Sequence, residues 1–175
     1  MITKDNTYAV MKLFFDSPEK KFHMRQIARL THLSAPGVMK IVAKLKKEGL
    51  LSWENTDIVK NVFVARSDKF ICLKKCYNLL ALQESKLVEL LKDEYEEPEA
   101  IVLFGSFAKG EDNSKSDIDI AVVTNKTKVL DLKKVEGKLN KKVNVYEINI
   151  KECKKEFRNN LANGIILAGY LKLIP

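Results

Sequence analysis

The chain has 175 residues, 46% of them hydrophobic, and a net charge of +8. This composition excludes a disordered protein and allows one domain or two small ones. No apolar run approaches the roughly 18 residues that span a bilayer, and the N-terminal residues lack the apolar segment of a secretion signal. We therefore expect a cytoplasmic protein without membrane contact.

The charge is unevenly distributed along the chain. Lys and Arg outnumber Asp and Glu by 13 to 7 in residues 1–70 and by 14 to 9 in residues 100–175. Residues 71–99 instead hold 4 basic and 7 acidic side chains. A basic first third predicts a polyanionic partner, and double-stranded DNA is the first candidate.

Helical spacing of apolar residues marks three short segments in the first third, at residues 7–16, 24–32 and 35–48. Ser34 is placed to cap the third helix, and Gly49 is a typical residue to end it.

Two β-prone runs follow at residues 50–54 and 61–66, around the turn Asn55-Thr56-Asp57, and predict a β-hairpin. The order of helix, short helix, tight turn, basic helix and hairpin resembles the winged helix-turn-helix family over residues 5–67. The resemblance is carried by the stretch I-A-R-L-T-H-L-S-A-P-G-V-M-K-I-V-A-K-L-K-K-E-G-L-L.

This resemblance implies that the third helix enters the major groove of duplex DNA. The implied contacts come from its N-terminal residue Ser34, from Lys40, Lys44 and Lys47 along one side, and from Lys60 on the hairpin. The alternative is that these lysines form only a solvated surface.

A linker helix is predicted over residues 70–95, with an acidic end before Pro98 that marks a boundary. Cys72 and Cys76 lie one helical turn apart and form no zinc pattern, so we expect them to be small core residues. The apolar stripe of this helix suits packing against the next domain or contact with a second copy of the chain. A homodimer is thus a further candidate, since helix-turn-helix proteins commonly bind DNA as dimers.

Strands and helices alternate in the last part of the chain, which predicts a mixed sheet. The strands are expected at residues 100–104, 118–124 and 142–148, the helices at 129–139 and 151–161, and a final apolar run at 165–173. The predicted fold class is therefore α+β, with domains at residues 1–68 and 98–175 and the linker at 69–97.

The stretch V-L-F-G-S-F-A-K-G-E-D-N-S-K-S-D-I-D-I-A-V-V-T, residues 102–124, carries the chemistry. Gly105 and Ser106 follow a buried strand and leave backbone N–H groups and a hydroxyl free for phosphate oxygens. Asp117 and Asp119 project from one face of the next strand, about 6.6 Å apart along it. Such a pair calls for a divalent cation, Mg²⁺ or Mn²⁺. A phosphate cradle beside a divalent metal indicates phosphoryl or nucleotidyl transfer.

The motif G-S-F-A-K-G, with S-D-I-D-I after it at the spacing Gly-Ser-x10-Asp-x-Asp, resembles the nucleotidyltransferase superfamily related to DNA polymerase β. It is most similar to the small prokaryotic members called minimal nucleotidyltransferases. The resemblance implies that Gly105 and Ser106 bind the β- and γ-phosphates of an NTP, assisted by Lys109. Asp117 and Asp119 would ligate the metal, and pyrophosphate would leave. Small relatives modify a partner protein, so a protein partner is another candidate.

One departure from the family pattern concerns the third carboxylate, which active members carry on a later strand. Here that position is Asn144, whose amide cannot act as a base and is a weaker metal ligand. Glu147 has the opposite parity on the strand and should point to the other face. Two functions stay open: an enzyme that transfers NMP to an unknown acceptor, or a DNA-binding regulator whose impaired transferase-like domain senses nucleotide or docks a partner.

Overall fold

The computed structural model of the protein describes residues 5–55 and 60–172. The chain divides into two compact units, residues 1–74 and 75–175. The predicted domain boundaries at residues 68 and 97 stay predictions. No helix in the described part of the chain is both long and apolar enough to cross a bilayer.

The first unit combines short helices with a three-stranded antiparallel sheet. Its complete elements are α1 Asn6–Asp16, β1 Phe22–His23, α2 Met24–Thr31, α3 Ala35–Lys47, β2 Leu51–Asn55 and β3 Lys60–Val64. The order of strands in the sheet is β1-β3-β2. The helices and the paired strands lie close to their predicted ranges. The predicted turn between β2 and β3 falls largely on residues 56–59, outside the described residues.

Local sequence explains the helix ends of this unit. The side chain of Asp5 accepts a hydrogen bond from the backbone N–H of Thr7. In the same way, the hydroxyl of Ser34 accepts a hydrogen bond from the backbone N–H of Gly37. Both residues thus cap a helix whose first N–H groups have no partner within the helix. The apolar faces pack into one core, formed by Val10, Met11, Phe14, Phe15, Phe22, Ile27, Val38, Val42, Leu45 and Val62.

Helix α4, Asp68–Ser85, crosses the boundary between the units. The second unit then continues with α5 Leu87–Tyr95, β4 Ala100–Phe104, α6 Gly105–Lys109, β5 Ile118–Val123, α7 Lys133–Leu139, β6 Val143–Ile148, α8 Lys155–Ala162 and β7 Ile165–Gly169. The sheet order is β6-β5-β4-β7; β5 and β6 are parallel and the other pairs antiparallel. The α+β class and the mixed sheet are therefore confirmed.

The single helix predicted over residues 70–95 was wrong, because Lys86 adopts φ +64° and separates α4 from α5. The expectation that Cys72 and Cys76 are core residues was also wrong, since both are exposed. Apolar periodicity misled here because the buried side of α4 carries polar residues that have hydrogen-bond partners. Its buried residues are Phe70, Lys74, Asn78, Leu82 and Ser85.

The two faces of the second unit's sheet are covered unequally. Ile118, Ile120 and Val122 on β5 face a large cluster with α5, α6 and α7. Ala121 and Val123 face a small cluster that includes Leu161 of α8. Because side chains alternate along a strand, Asp119 projects toward this thinly covered face.

Candidate active site

The turn between β4 and α6 lies against Asp119. Gly105 begins α6 with φ +75°, and a Cβ built on it would lie 2.6 Å from Oδ2 of Asp119. Only glycine fits this position, because a side chain would both strain the backbone and collide with the carboxylate. Ser106 follows as a partly buried residue, and Lys109 is exposed at the last position of α6.

Asn144 joins the two carboxylates. It is the register partner of Asp119 across the parallel β5–β6 pair. Its Nδ2 donates to Oδ1 of Asp119 at 3.1 Å and to Oδ2 of Asp117 at 3.5 Å. The structure therefore brings Gly105, Asp117, Asp119 and Asn144 together at one place.

Glu147 lies on the opposite side of β6, as its parity indicates. Its Oε1 accepts hydrogen bonds from the hydroxyl of Tyr95 at 2.6 Å and from the backbone N–H of Lys128 at 2.7 Å. Burial of Tyr95 and the neighbouring Glu147 carboxylate raise the pKa of the Tyr95 hydroxyl. Glu147 thus links α5 to β6 and does not join Asp117 and Asp119.

Tyr146 is a member of the site that the sequence analysis missed. Its hydroxyl donates to Oδ1 of Asp119 at 3.4 Å, and 42% of the residue is exposed. Partial burial and the nearby charge of Asp119 raise the pKa of the Tyr146 hydroxyl. The available signal was its spacing of two from Asn144, which puts both side chains on one face of β6.

A buried polar network holds the loop that leads to Asp117. Asp112 is 1% exposed; its Oδ1 accepts from Nδ2 of Asn78 at 2.8 Å, and its Oδ2 lies 3.4 Å from Nζ of Lys141. Nζ of Lys141 also donates to the backbone carbonyls of Asn113 and Ser116. Because Ser116 directly precedes Asp117, Lys141 attaches this loop to the start of β6.

The donor set fits a hard divalent cation. Within the described residues no group of three or more His, Cys, Asp or Glu side chains could hold a metal ion. However, the amide of Asn144 offers an oxygen when it rotates by half a turn, because its two ends are nearly equal in shape. Asp117, Asp119 and the amide oxygen would then present three oxygen donors, the ligand type that Mg²⁺ and Mn²⁺ prefer.

Comparison with known families gives a match over the same part of the chain. The family described as "Polymerase beta, Nucleotidyltransferase" matches residues 85–170. The matched range contains the glycine turn, both carboxylates and Asn144. Residues 85–170 form a polymerase-β-like nucleotidyltransferase domain.

Three known proteins are similar to parts of this chain. The protein adenylyltransferase MntA of Shewanella oneidensis is 45% identical over 42 residues, which cover 24% of this chain and 30% of MntA. A chain in the crystal structure of a toxin–antitoxin with AMP-PNP is 29% identical in sequence, with a TM-score of 0.41. The match covers 51% of this chain and 75% of that chain. A mutant of the toxin–antitoxin MntA-HpeT is 26% identical, covering 50% and 73%, with a TM-score of 0.40.

The residues predicted to contact DNA lie outside the nucleotidyltransferase domain. Lys40, Lys44 and Lys47 are exposed on α3, at spacings that put them on one face of the helix. Nζ of Lys60 instead lies 4.8 Å from the ring centre of Trp53. Ser34 is an exposed cap residue whose hydroxyl accepts the helix N–H described above. Their contact with DNA stays a prediction.

Proposed function

We propose that the nucleotidyltransferase domain binds an NTP with Mg²⁺ or Mn²⁺ and transfers its NMP to an acceptor hydroxyl. The observation that supports this best is the meeting of Asp117 and Asp119 at Asn144, directly against the Gly105 turn. Hydrogen-bond donors for the phosphates and ligands for the cation thereby lie side by side, as transfer from a triphosphate requires.

Each residue then has a role in the reaction. The backbone N–H groups of Gly105 and Ser106 bind the β- and γ-phosphates, and Lys109 offsets their charge. Asp117 and Asp119 hold the cation, which when bound offsets the negative charge that develops on the phosphates. A bond forms between the acceptor oxygen and the α-phosphorus, the bond to the β-phosphate oxygen breaks, and pyrophosphate leaves.

Asn144 changes one step of this scheme. An amide has no basic site that could take a proton at neutral pH, so the acceptor hydroxyl must lose its proton to another base. The acceptor itself or solvent would supply that base. We accordingly expect slow transfer with simple alcohols and faster transfer to an acceptor that brings its own base.

A protein is the first acceptor to test, and ATP the first donor. MntA is named a protein adenylyltransferase, although its similarity to this chain spans less than a third of its length. The test is incubation of the full chain with labelled ATP and Mg²⁺ or Mn²⁺, with and without candidate protein partners. Label transfer that disappears in Asp117→Ala supports the proposal. Absence of both transfer and nucleotide binding contradicts it.

A second candidate function is that of a DNA-binding regulator whose transferase-like domain senses nucleotide or docks a partner. The favouring observations are Asn144 at the third carboxylate position and the exposed Lys40, Lys44 and Lys47 of α3. The order of helices and strands in residues 5–67 supports a winged helix-turn-helix domain, with Ser34 and Lys60 at the margin of its DNA surface. A homodimer stays a prediction.

Salt dependence tests this candidate. Duplex DNA binding should weaken with salt, and replacing Lys40, Lys44 and Lys47 by Ala should reduce the slope of log K against log salt by about 3. Lys20→Ala, an exposed lysine outside α3, serves as the control and should change the slope little. Absence of binding at low salt rules out this function.

A further inference from the structure

Three aromatic rings border the carboxylate site and contact each other. Phe104 ends β4, Tyr146 lies on β6 and Phe157 on α8. The ring centre of Phe104 is 5.5 Å from that of Tyr146 and 5.4 Å from that of Phe157, and the last two are 6.3 Å apart. We call this continuous surface the aromatic platform.

The aromatic platform adjoins both parts of the proposed triphosphate site. Phe104 directly precedes Gly105 and is the register partner of Asp119. The hydroxyl of Tyr146 reaches Oδ1 of Asp119. A nucleotide whose phosphates are held at the turn and the carboxylates therefore has aromatic surface next to it.

The platform is open, unlike aromatic residues that only fill the core. Phe107, on the other face of the sheet, is 3% exposed, whereas Tyr146 is 42% exposed and Phe104 and Phe157 are partly exposed. An exposed ring beside a polyphosphate site has the chemistry to stack a planar heterocycle.

We propose that the aromatic platform is the base subsite of this domain, with the nucleobase stacked on the ring of Tyr146. The inference rests on the proposed NTP binding at Gly105 and Ser106. Stacking is tolerant of base identity because every base has a π-face. The platform therefore binds ATP and GTP similarly, and both more tightly than inorganic triphosphate.

Calorimetric titration of the full chain with Mg²⁺–ATP and Mg²⁺–triphosphate tests the subsite. Tyr146→Ala should weaken ATP binding roughly 5- to 150-fold, the range of base–aromatic stacking, and weaken triphosphate binding much less. Tyr146→Phe keeps the ring but loses the hydroxyl contact with Asp119, so it should keep the preference for ATP over triphosphate. Tyr146→Leu retains apolar packing against Phe104 and Phe157, so it should lose ATP affinity without unfolding. Tyr170→Ala, at a tyrosine that is 71% exposed, is the matched control and should change neither affinity.

Two outcomes overturn the base subsite while NTP binding itself survives. An equal loss for ATP and triphosphate makes Tyr146 a positioning residue for Asp119. No loss for either ligand in Tyr146→Ala and Tyr146→Leu places the base elsewhere. If the unaltered chain binds neither ligand, the proposed function fails as well, so the two failures are distinguishable.

Discussion

At the scale of single residues, Asn144 decides the charge of the site. Its amide N–H group contacts both carboxylates, so the pair is hydrogen-bonded even without a cation. A carboxylate at the same place would repel both neighbours instead. With an amide at this position, the site has a weaker cation ligand and no base there. The two carboxylates, however, are hydrogen-bonded even when no cation is bound.

Asn144→Asp should therefore bind Mn²⁺ at least about tenfold more tightly than the parent chain, since it adds a third charged ligand. Without metal it should unfold at a lower temperature than the parent chain, and excess Mg²⁺ should remove this difference, because the ion binds the folded state. Electron paramagnetic resonance counts the free Mn²⁺, and calorimetry gives the melting temperature. Asn144→Ala controls for loss of the amide; a Mn²⁺ affinity that rises in this variant too would contradict the prediction.

Gly105 sets how closely the turn approaches Asp119. Gly105→Ala should abolish NTP binding and destabilise the fold by about 1–2 kcal/mol, because φ +75° strains an L-residue and its Cβ meets the carboxylate. Gly137→Ala is the matched control: it lies inside α7, a Cβ there meets nothing within 4 Å, and it should stabilise by about 0.5–1 kcal/mol. Urea unfolding and nucleotide titration measure both effects, and retained binding in Gly105→Ala would refute this geometry.

At the scale of elements, the hydroxyl of Tyr95 adds a hydrogen bond to the apolar packing between α5 and β6. Tyr95→Phe should lower the free energy of unfolding by about 1–3 kcal/mol, because Tyr95 is 1% exposed and its partner Glu147 loses a hydrogen bond. Denaturant unfolding at neutral pH measures this loss. Tyr170→Phe, at an exposed tyrosine, should have no effect.

The same hydroxyl predicts a pH dependence. The folded state raises the pKa of Tyr95 above its ordinary value of about 10. The Tyr95 hydroxyl therefore stabilises the folded state fully below about pH 10, and this stabilisation is lost as the pH rises toward the folded-state pKa. The stability difference between the parent chain and Tyr95→Phe should narrow above pH 10. A difference that stays constant with pH would show that Tyr95 does not titrate with folding.

The loop before Asp117 depends on the Asp112–Lys141 pair. Lys141→Met removes one cation beside the buried Asp112 carboxylate and the donor to two loop carbonyls, so it should lower the free energy of unfolding by about 1–3 kcal/mol. Adding Asp112→Asn should recover part of this loss. Lys142→Met, at an exposed neighbour, is the control. Thermal unfolding of the four proteins tests the pair; equal effects at Lys141 and Lys142 would disprove its role.

At the scale of the whole molecule, features set by residues close together in the sequence were predictable, whereas features set by contacts between distant residues were not. The spacing of Asp117 and Asp119 and the glycine turn are local, and the family resemblance supplied the position of Asn144. Burial of Lys74 on α4 was missed because periodicity counts apolar residues only. Strand β1 has two residues, too few for a pattern, and nothing in the residue type of Lys86 marks its positive φ.

The order of strands in the second unit also has a consequence for folding. Phe104 and Asp119 come from adjacent antiparallel strands, but Asp119 and Asn144 meet only through a parallel pair whose connection includes α7. Parallel pairing closes a longer loop and is slow. During synthesis, Asp117 and Asp119 therefore leave the ribosome before β6, the strand whose Asn144 contacts both of them. During refolding, Mn²⁺ binding should appear after most of the helical signal has returned.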